Sequence, residues 1–475
     1  MASTITGPST TESPYILPST AGVRLVSLLS AGDGVAGATR ADGSAWHFAG
    51  TPDGIGAFDN GDGTITVLVN HEIAAAAGAL HDHGATGAFV DRLVIDTQSL
   101  EVVSAGELAN EMHLFTKDGT WWSIGAAELA RLCSADLAPV SAFYDEATGW
   151  GTQSRILLNG EENGPAGRAF AWIASGPDAG QVWELPALGQ LSFENILAAP
   201  HTGDRTIAIG NDDSTPGQIY IYQGFKQASG NEIERAGLAY GELFGVKADF
   251  LNEVNNGQAD SGHFSLEGFG NVAGLTGAEL QAESDAQGVT SWLRPEDGAW
   301  DTLDANRYYF VTTNAIDAPS RLWALDFYDV NHPDWGGTYR MLLAGTEGQK
   351  MFDNITVTSN GDLVLLEDVG NNPRAGKVWF HDHATGGLTE LAAHDTARFG
   401  SETSPATAPF TQDEESSGVL DVTALLPHAA GERVFLLDTQ AHYGFGPAGS
   451  AARQEIVEGG QLMLLYVAAN GDWHL

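Results

Sequence analysis

Six times along the chain an apolar strand runs directly into Asn, Asp or Glu: TVLVNHE ending at Glu72, RILLNGEEN at 155–163, RTIAIGNDDS at 205–214, YYFVTTNAID at 308–317, LVLLEDVGNN at 363–372 and RVFLLDTQAH at 433–442. After three of them comes a glycine and then a second strand with an aromatic: GRAFAWIAS after Glu162, GQIYIYQG after Asp213 and GKVWFHD after Asp368. Strand, acidic loop, glycine, aromatic strand is a hairpin, and it recurs at a spacing of about fifty residues or a multiple of it. TKDGTWWSIG and HFSLEGFGNV mark further units in the gaps. A sheet unit repeated at this period cannot bury both faces alone and must stack on its neighbours, which is what a β-propeller blade does. The fold class expected is therefore all-β. Helix is expected only in HEIAAAAGAL (71–80), GAAELARLC (125–133) and KADFLNEV (247–254). The Ser-, Thr- and Pro-containing residues 1–20 read as a flexible arm, or as an edge strand donated to a neighbour, ahead of a single domain over 21–475.

If the acidic strands are the innermost ones, their ends converge as a ring. Carboxylates gathered in this way repel one another unless cations neutralise them, so the pattern implies bound metal. Clusters of Asp, Glu, Asn and carbonyl oxygen suit Ca²⁺ or Mg²⁺, and the harder iron or manganese ions, more than zinc; HExxH and paired Cys/His spacings are absent from the sequence. Such cations would bind an anion, phosphate being the obvious one, and polarise its oxygens.

The composition supports that direction. Asp and Glu number 62 against 21 Lys and Arg, a formal charge of −41, which repels nucleic acid and anionic membranes and excludes a nucleic-acid role. A solvated or salt-tolerant surface explains the bulk of this acidity equally well, but not where the carboxylates sit. The lone thiol, Cys133, leaves redox compartment undetermined. No apolar run is long enough for a transmembrane span, and no secretory signal is visible at the start, which leaves a cytosolic location, a removed signal and another export route all open. Neither a GxSxG elbow nor a Walker loop occurs; GFGPAG at 444–449 reads as a chance match, FDNGDGTIT at 58–66 resembles a fragment of a calcium loop but reads better as a hairpin turn, and HDHGA at 81–85 could offer ligands but reads better as a solvated loop.

Taken in order, TVLVNHE, GWGTQSRILLNGEEN, NDDSTPGQIYIY, SWLRPEDGAWD, NGDLVLLEDVGNN, EESSGVLDV and FLLDTQAH resemble the PhoX-type alkaline phosphatase family (DUF839), from about Asn70 to His442. The resemblance implies a six-bladed propeller with inserted short helices and loops. It further implies a calcium and iron cluster that hydrolyses phosphate monoesters, a small phosphorylated substrate or other anion as ligand, and a periplasmic or extracellular location. Carried over by position, the metal-ligand candidates are Glu72, Glu161, Glu162, Glu296, Glu367, Asp368 and Glu415, with Asp212 and Asp213 in the NDD stretch. Arg294 is the candidate catalytic residue, contacting phosphate through two guanidinium nitrogens, or else pairs with Glu296 or Asp297. One departure concerns the iron. The family carries a ligating cysteine shortly before the WGT segment, where this chain reads SAFYDEATGWGT, so Cys133 either substitutes for it or is an ordinary buried cysteine.

Three functions remain open on these observations: a metal-dependent phosphoesterase, a calcium-dependent lactonase or esterase, and a calcium-stabilised propeller without catalysis that acts in binding, adhesion or assembly. Oligomeric state is likewise open.

Overall fold

The computed structural model describes residues 3–117, 121–254 and 259–468; residues 118–120 of the TKDGTWWSIG stretch lie outside them. The chain divides into two compact units. One comprises Met1–Leu108, Ala315–Ala318 and Glu347–Leu475, the other Ala109–Asn314 and Pro319–Thr346.

Each unit holds, among the described residues, three four-stranded antiparallel meanders, named here by the residue that opens the first strand. In the first unit the Pro52 sheet runs Pro52–Asp59, Thr64–His71, Phe89–Asp96, Val102–Glu107. The Phe352 sheet runs Phe352–Val357, Leu363–Glu367, Lys377–His381, Leu388–His394. The Glu414 sheet runs Glu414–Asp421, Arg433–Gly444, Glu458–Val467 and is completed by Val23–Ser30 from the opposite end of the chain. The N-terminal segment pairs into these sheets, Thr4–Thr6 beside Val23–Ser30 and Ile16–Pro18 beside Leu388–His394.

In the second unit the Leu132 sheet runs Leu132–Leu137, Ile156–Glu161, Ala169–Ile173, Gln181–Glu184. The Phe193 sheet runs Phe193–Ala198, Arg205–Asp212, Ile219–Phe225, Glu242–Ala248. The Pro295 sheet runs Pro295–Trp300, Arg307–Thr312, Arg321–Phe327, Gly337–Leu343.

The stacking that one-sided sheets require is present inside each unit. Ile156, Trp183, Phe193 and Tyr222 share a core between the Leu132 and Phe193 sheets, and Ile209, Ile221, Phe310 and Trp323 share one between the Phe193 and Pro295 sheets. In the first unit the Glu414 sheet packs on the Pro52 sheet through Val67, Leu93, Leu436 and Leu464, and on the Phe352 sheet through Val364, Phe380, Phe435 and Leu437. A strand covered on both faces reads as an unbroken apolar run, which is why LVLLE and RILL show no alternation.

Several expectations are corrected. All six acidic strands are second in their sheets and pair with a preceding strand, so they are not the first, edge-forming strands. The two supposed extra units are added strands: Trp122–Gly125 hairpins with Glu111–Phe115 on the Leu132 sheet, and Ser261–Gly270 joins the Phe193 and Pro295 sheets edge to edge into nine strands. None of the three helix expectations holds. The alanine run after His71 forms turns, because it offers no apolar stripe to bury; strand Leu132–Leu137 begins inside GAAELARLC; Lys247 and Ala248 finish strand Glu242–Ala248. The longest helix, Gly277–Gln287, went unseen because it buries little apolar surface, although Thr276 and Glu279 form a capping box at its start.

Candidate functional site

All six sheets carry the same irregularity. Three steps along the first strand match two along the second: Pro52 to Ile55 against His71 to Val69, and likewise from Leu132, Phe193, Pro295, Phe352 and Ser416. A bulge of this kind re-aims a side chain. The residues it re-aims are Asp53, Cys133, Glu194, Glu296, Asp353 and Ser417, five of the six being metal-ligand types. Sequence reasoning named Glu296 among them as a ligand and left Cys133 open between a substitute ligand and an ordinary buried cysteine. The usable signal was the local pattern apolar–acid–Asn/Gly–Ile, seen in PDGI, FENI and FDNI.

Opposite each bulge the second strand ends, and its last residues divide their roles by the alternation of strand side chains. One position (His71, Glu161, Asp212, Thr312, Glu367, Thr439) is buried in every sheet. The next (Glu72, Glu162, Asp213, Thr313, Asp368, Gln440) follows it on the other side. In five sheets that next residue's amide donates to the residue preceding the bulged strand: Glu72 to Thr51 O at 2.9 Å, Glu162 to Arg131 O at 2.8 Å, Asp213 to Ser192 O at 2.8 Å, Thr313 to Arg294 O at 3.0 Å and Asp368 to Met351 O at 3.0 Å. Four of these acceptors, Thr51, Arg131, Arg294 and Met351, have positive φ, from 45° to 56°, a strained conformation for residues other than glycine.

The adjacent carboxylates therefore do different things. Glu161 receives Nε of Arg168 at 2.7 Å and its Nη2 at 2.8 Å, plus the Ala130 amide at 2.9 Å. Glu367 receives Nη2 of Arg374 at 2.6 and 2.9 Å, the Trp379 indole at 2.8 Å and the Lys350 amide at 2.8 Å. In both cases the arginine lies seven residues after the acid. Burial raises the Glu367 pKa, with Arg374 and the donated hydrogen bonds opposing the rise. Glu161 and Glu367 are thus held by their own arginines. Asp212, also buried, takes the Ser192 amide at 3.2 Å, and burial pushes its pKa up to about 7.

The projecting acids gather in two places, one in each unit. In the second unit, ligand oxygens of Glu194, Asp213 and Glu296 lie within 4.8 Å of one another, all three residues buried. Arg294 binds Asp213 through Nε at 2.7 Å and Nη2 at 2.8 Å, and Glu296 through Nη2 at 3.0 Å; Glu296, ahead of Asp213 and Glu162, raises the guanidinium pKa against the cost of burial. Asp297 instead accepts Asn195 Nδ2 at 2.6 Å. Three buried carboxylates gathered this closely repel one another when ionised, and a bound cation beside the Arg294 guanidinium would relieve that repulsion. The all-carboxylate donor set fits a hard divalent ion. Arg294 keeps 33% of its side chain exposed, so an anion in solvent can reach it. Glu162 pairs with Arg131.

In the first unit the Gln440 amide nitrogen lies 3.0 Å from Asp53 Oδ2, 2.8 Å from Glu72 Oε2 and 3.1 Å from Glu415 Oε1. Two amide hydrogens among three carboxylates leave charge that a cation would also neutralise. Beside them His442 Nδ1 lies 2.8 Å from Glu458 and Nε2 3.6 Å from Glu415; burial works against its charge, but these two acids raise its pKa well above the usual range. Asp368 accepts the Gly370 amide at 2.7 Å. Cys133 is buried at the bulge of the Leu132 sheet, the position that Glu194 and Glu296 take in the other two sheets of its unit.

A further acid was not foreseen. Asp136, on strand Leu132–Leu137, is pushed up to about 7, first by burial and then by Asp297. A carboxyl with a raised native pKa makes the fold lose stability as pH rises from about 4 to about 7, since the native state holds the proton more tightly than the unfolded chain. Asp136→Asn should therefore melt higher than wild type at pH 8, by on the order of a few kcal/mol at most, and coincide with it at pH 4; parallel melting curves at both values would remove this assignment.

This architecture has a counterpart of known structure. Pseudomonas fluorescens PhoX, solved in complex with vanadate, a transition-state analogue, superposes with a TM-score of 0.67 at 12% identity over 96% of this chain and 98% of that one. The fold resembles that of PhoX. The resemblance read from the motifs thus holds at the level of fold, and at such low identity the PhoX likeness shows the fold alone. A mutant Trypanosoma rangeli sialidase (10% identity, 94% and 59% of the two chains, TM-score 0.39) and Chaetomium thermophilum Sqt1 bound to the N-terminus of ribosomal protein L10 (10%, 89% and 98%, TM-score 0.38) are too distant to bear on the argument. No family model and no curated protein matches the chain.

Proposed function

We propose that this chain is a divergent member of the PhoX-type family, a metal-dependent phosphoesterase built on a six-bladed propeller of one domain, residues 21–475. One observation carries the reading: Arg294, one-third exposed, pairs with Asp213 and Glu296, two of the three buried carboxylates whose ligand oxygens gather within 4.8 Å. Glu194, Asp213 and Glu296 would hold a hard cation, Ca²⁺ being the first choice, and Glu72, Asp53 and Glu415 another; Glu162 and Asp368 stand at the equivalent strand ends. Bound there, a cation supplies Lewis-acid polarisation of phosphoryl oxygens. The chain's own part is to orient the phosphoryl group on the Arg294 guanidinium, fixed by its paired bonds to Asp213. Cys133 is the residue that would favour iron. Neither the lactonase nor the purely structural reading calls for an exposed guanidinium at the acids. The substrate is a small phosphate monoester, and the location that goes with this reading is periplasmic or extracellular.

Elemental analysis of the protein purified without chelator, paired with p-nitrophenyl phosphate hydrolysis, tests it. Bound divalent cation is expected, with turnover abolished by EDTA and restored by Ca²⁺. Bound cation without turnover, or turnover in metal-free protein, rejects the proposal; iron in the analysis should disappear in Cys133→Ser.

A further inference from the structure

The segment Asp212–Ser214 has two sides. Asp213 turns into the carboxylate cluster, while Asp212 and Ser214 line a separate cavity of about 340 Å³ within the second unit. Gln190 and Ser192 form a second wall, Tyr220 a third, and Gln281 on helix Gly277–Gln287 a fourth. Two backbone hydrogen bonds tie the cavity walls to the cluster. The Asp213 amide donates to Ser192 O at 2.8 Å, and the Arg294 amide donates to Ser214 O at 3.1 Å. On the far side the Tyr220 hydroxyl is held 2.9 Å from Ser284 Oγ. At about 30 Å³ per water this space holds the equivalent of roughly ten waters, the scale of a small polyol or a sugar ring.

Its chemistry is one-sided. Hydroxyls and amides are plentiful, and among the described lining residues none is Lys, Arg or His, whereas one is an acid. A second phosphate or a carboxylate placed here would find no cation among these lining residues. We infer that this cavity receives the uncharged, hydroxyl-bearing part of a phosphate monoester whose phosphoryl group lies at Arg294, so that neutral polyol or sugar monophosphates are preferred over bisphosphates. This rests on the phosphoesterase reading and names its substrate class.

Ala278 lies at the cavity and is exposed on the first turn of the helix, so a large side chain there fills the cavity without entering the core. The test compares kcat/KM for methyl phosphate, glucose 6-phosphate and glucose 1,6-bisphosphate in wild type, Ala278→Trp and Gln281→Lys, with melting temperatures as a control on folding. Wild type should favour glucose 6-phosphate over the bisphosphate by about tenfold or more. Ala278→Trp should lower glucose 6-phosphate turnover by about tenfold while leaving methyl phosphate within about twofold. Gln281→Lys, which supplies the missing cation, should narrow the gap to the bisphosphate. Folded Ala278→Trp with an unchanged ratio of glucose 6-phosphate to methyl phosphate overturns the inference alone. A wild type that turns over none of the three esters overturns the phosphoesterase reading and this inference with it.

Discussion

Glu296→Gln should leave the fold intact and remove both the bound cation and the hydrolysis, with kcat/KM falling by about 10² to 10³. The substitution keeps the shape of the side chain and deletes one of the three charges around the cluster, so the remaining excess, two negative against one positive, has far less call on a divalent ion. Arg294 keeps its paired bonds to Asp213 and stays in place. Glu194→Gln should behave alike, because it occupies the equivalent bulge in the neighbouring sheet. The readouts are metal per chain, melting temperature and p-nitrophenyl phosphate turnover. Wild-type turnover at normal metal content in both variants would take the cluster out of the chemistry.

Glu367→Ala has the opposite signature: a loss of about 3–5 kcal/mol of stability, with cation content unchanged below the new melting temperature. Its carboxylate is fully buried and is the acceptor for the Arg374 guanidinium, the Trp379 indole and the Lys350 amide. Truncation strands the Trp379 and Lys350 donors and leaves the Arg374 guanidinium with the Gly348 carbonyl but without its counter-charge. Replacing both partners by methionine should recover most of the loss, because a buried pair is costly chiefly when half of it remains. The next residue makes the contrast sharp: Asp368→Asn should leave the melting temperature within about 0.5 kcal/mol of wild type, as expected for a half-buried acid that accepts the Gly370 amide. Equal destabilisation by both substitutions would mean that the division of labour between adjacent acids is wrong.

That division also marks the limit of what could be read from the sequence. LVLLEDVGNN and its five relatives announce buried strands with acidic exits, and the hairpin that follows three of them was legible because glycine and aromatic residues punctuate it. Which of two neighbouring acids turns toward the site was not legible, because it depends on which face of the strand meets an arginine seven residues later. Glu194, Asp53 and Asp353 escaped for a different reason. A bulge breaks the period of two on which strand reading relies, and a single acid inside an apolar run looks like noise until six sheets are laid over one another. Gln440 was passed over because an amide among acids carries no charge signal, and helix Gly277–Gln287 because its cap is clear but its apolar stripe is nearly absent.

Strand Val23–Ser30 lies against Glu458–Val467, and the unit they belong to draws on both ends of the chain while the second unit is continuous apart from a four-residue excursion. On a ribosome this imposes an order of assembly. The second unit is complete once Thr346 emerges, whereas strand Val23–Ser30 must wait for Glu458–Val467 through the whole synthesis of the intervening chain, roughly twenty to ninety seconds. Throughout that interval the edge of Val23–Ser30, apolar and almost wholly buried in the finished protein, is open to pairing with other strands. Newly made chains should accordingly depend on holdase chaperones until release, and truncation of the last forty residues should yield aggregates in which the second unit is already folded.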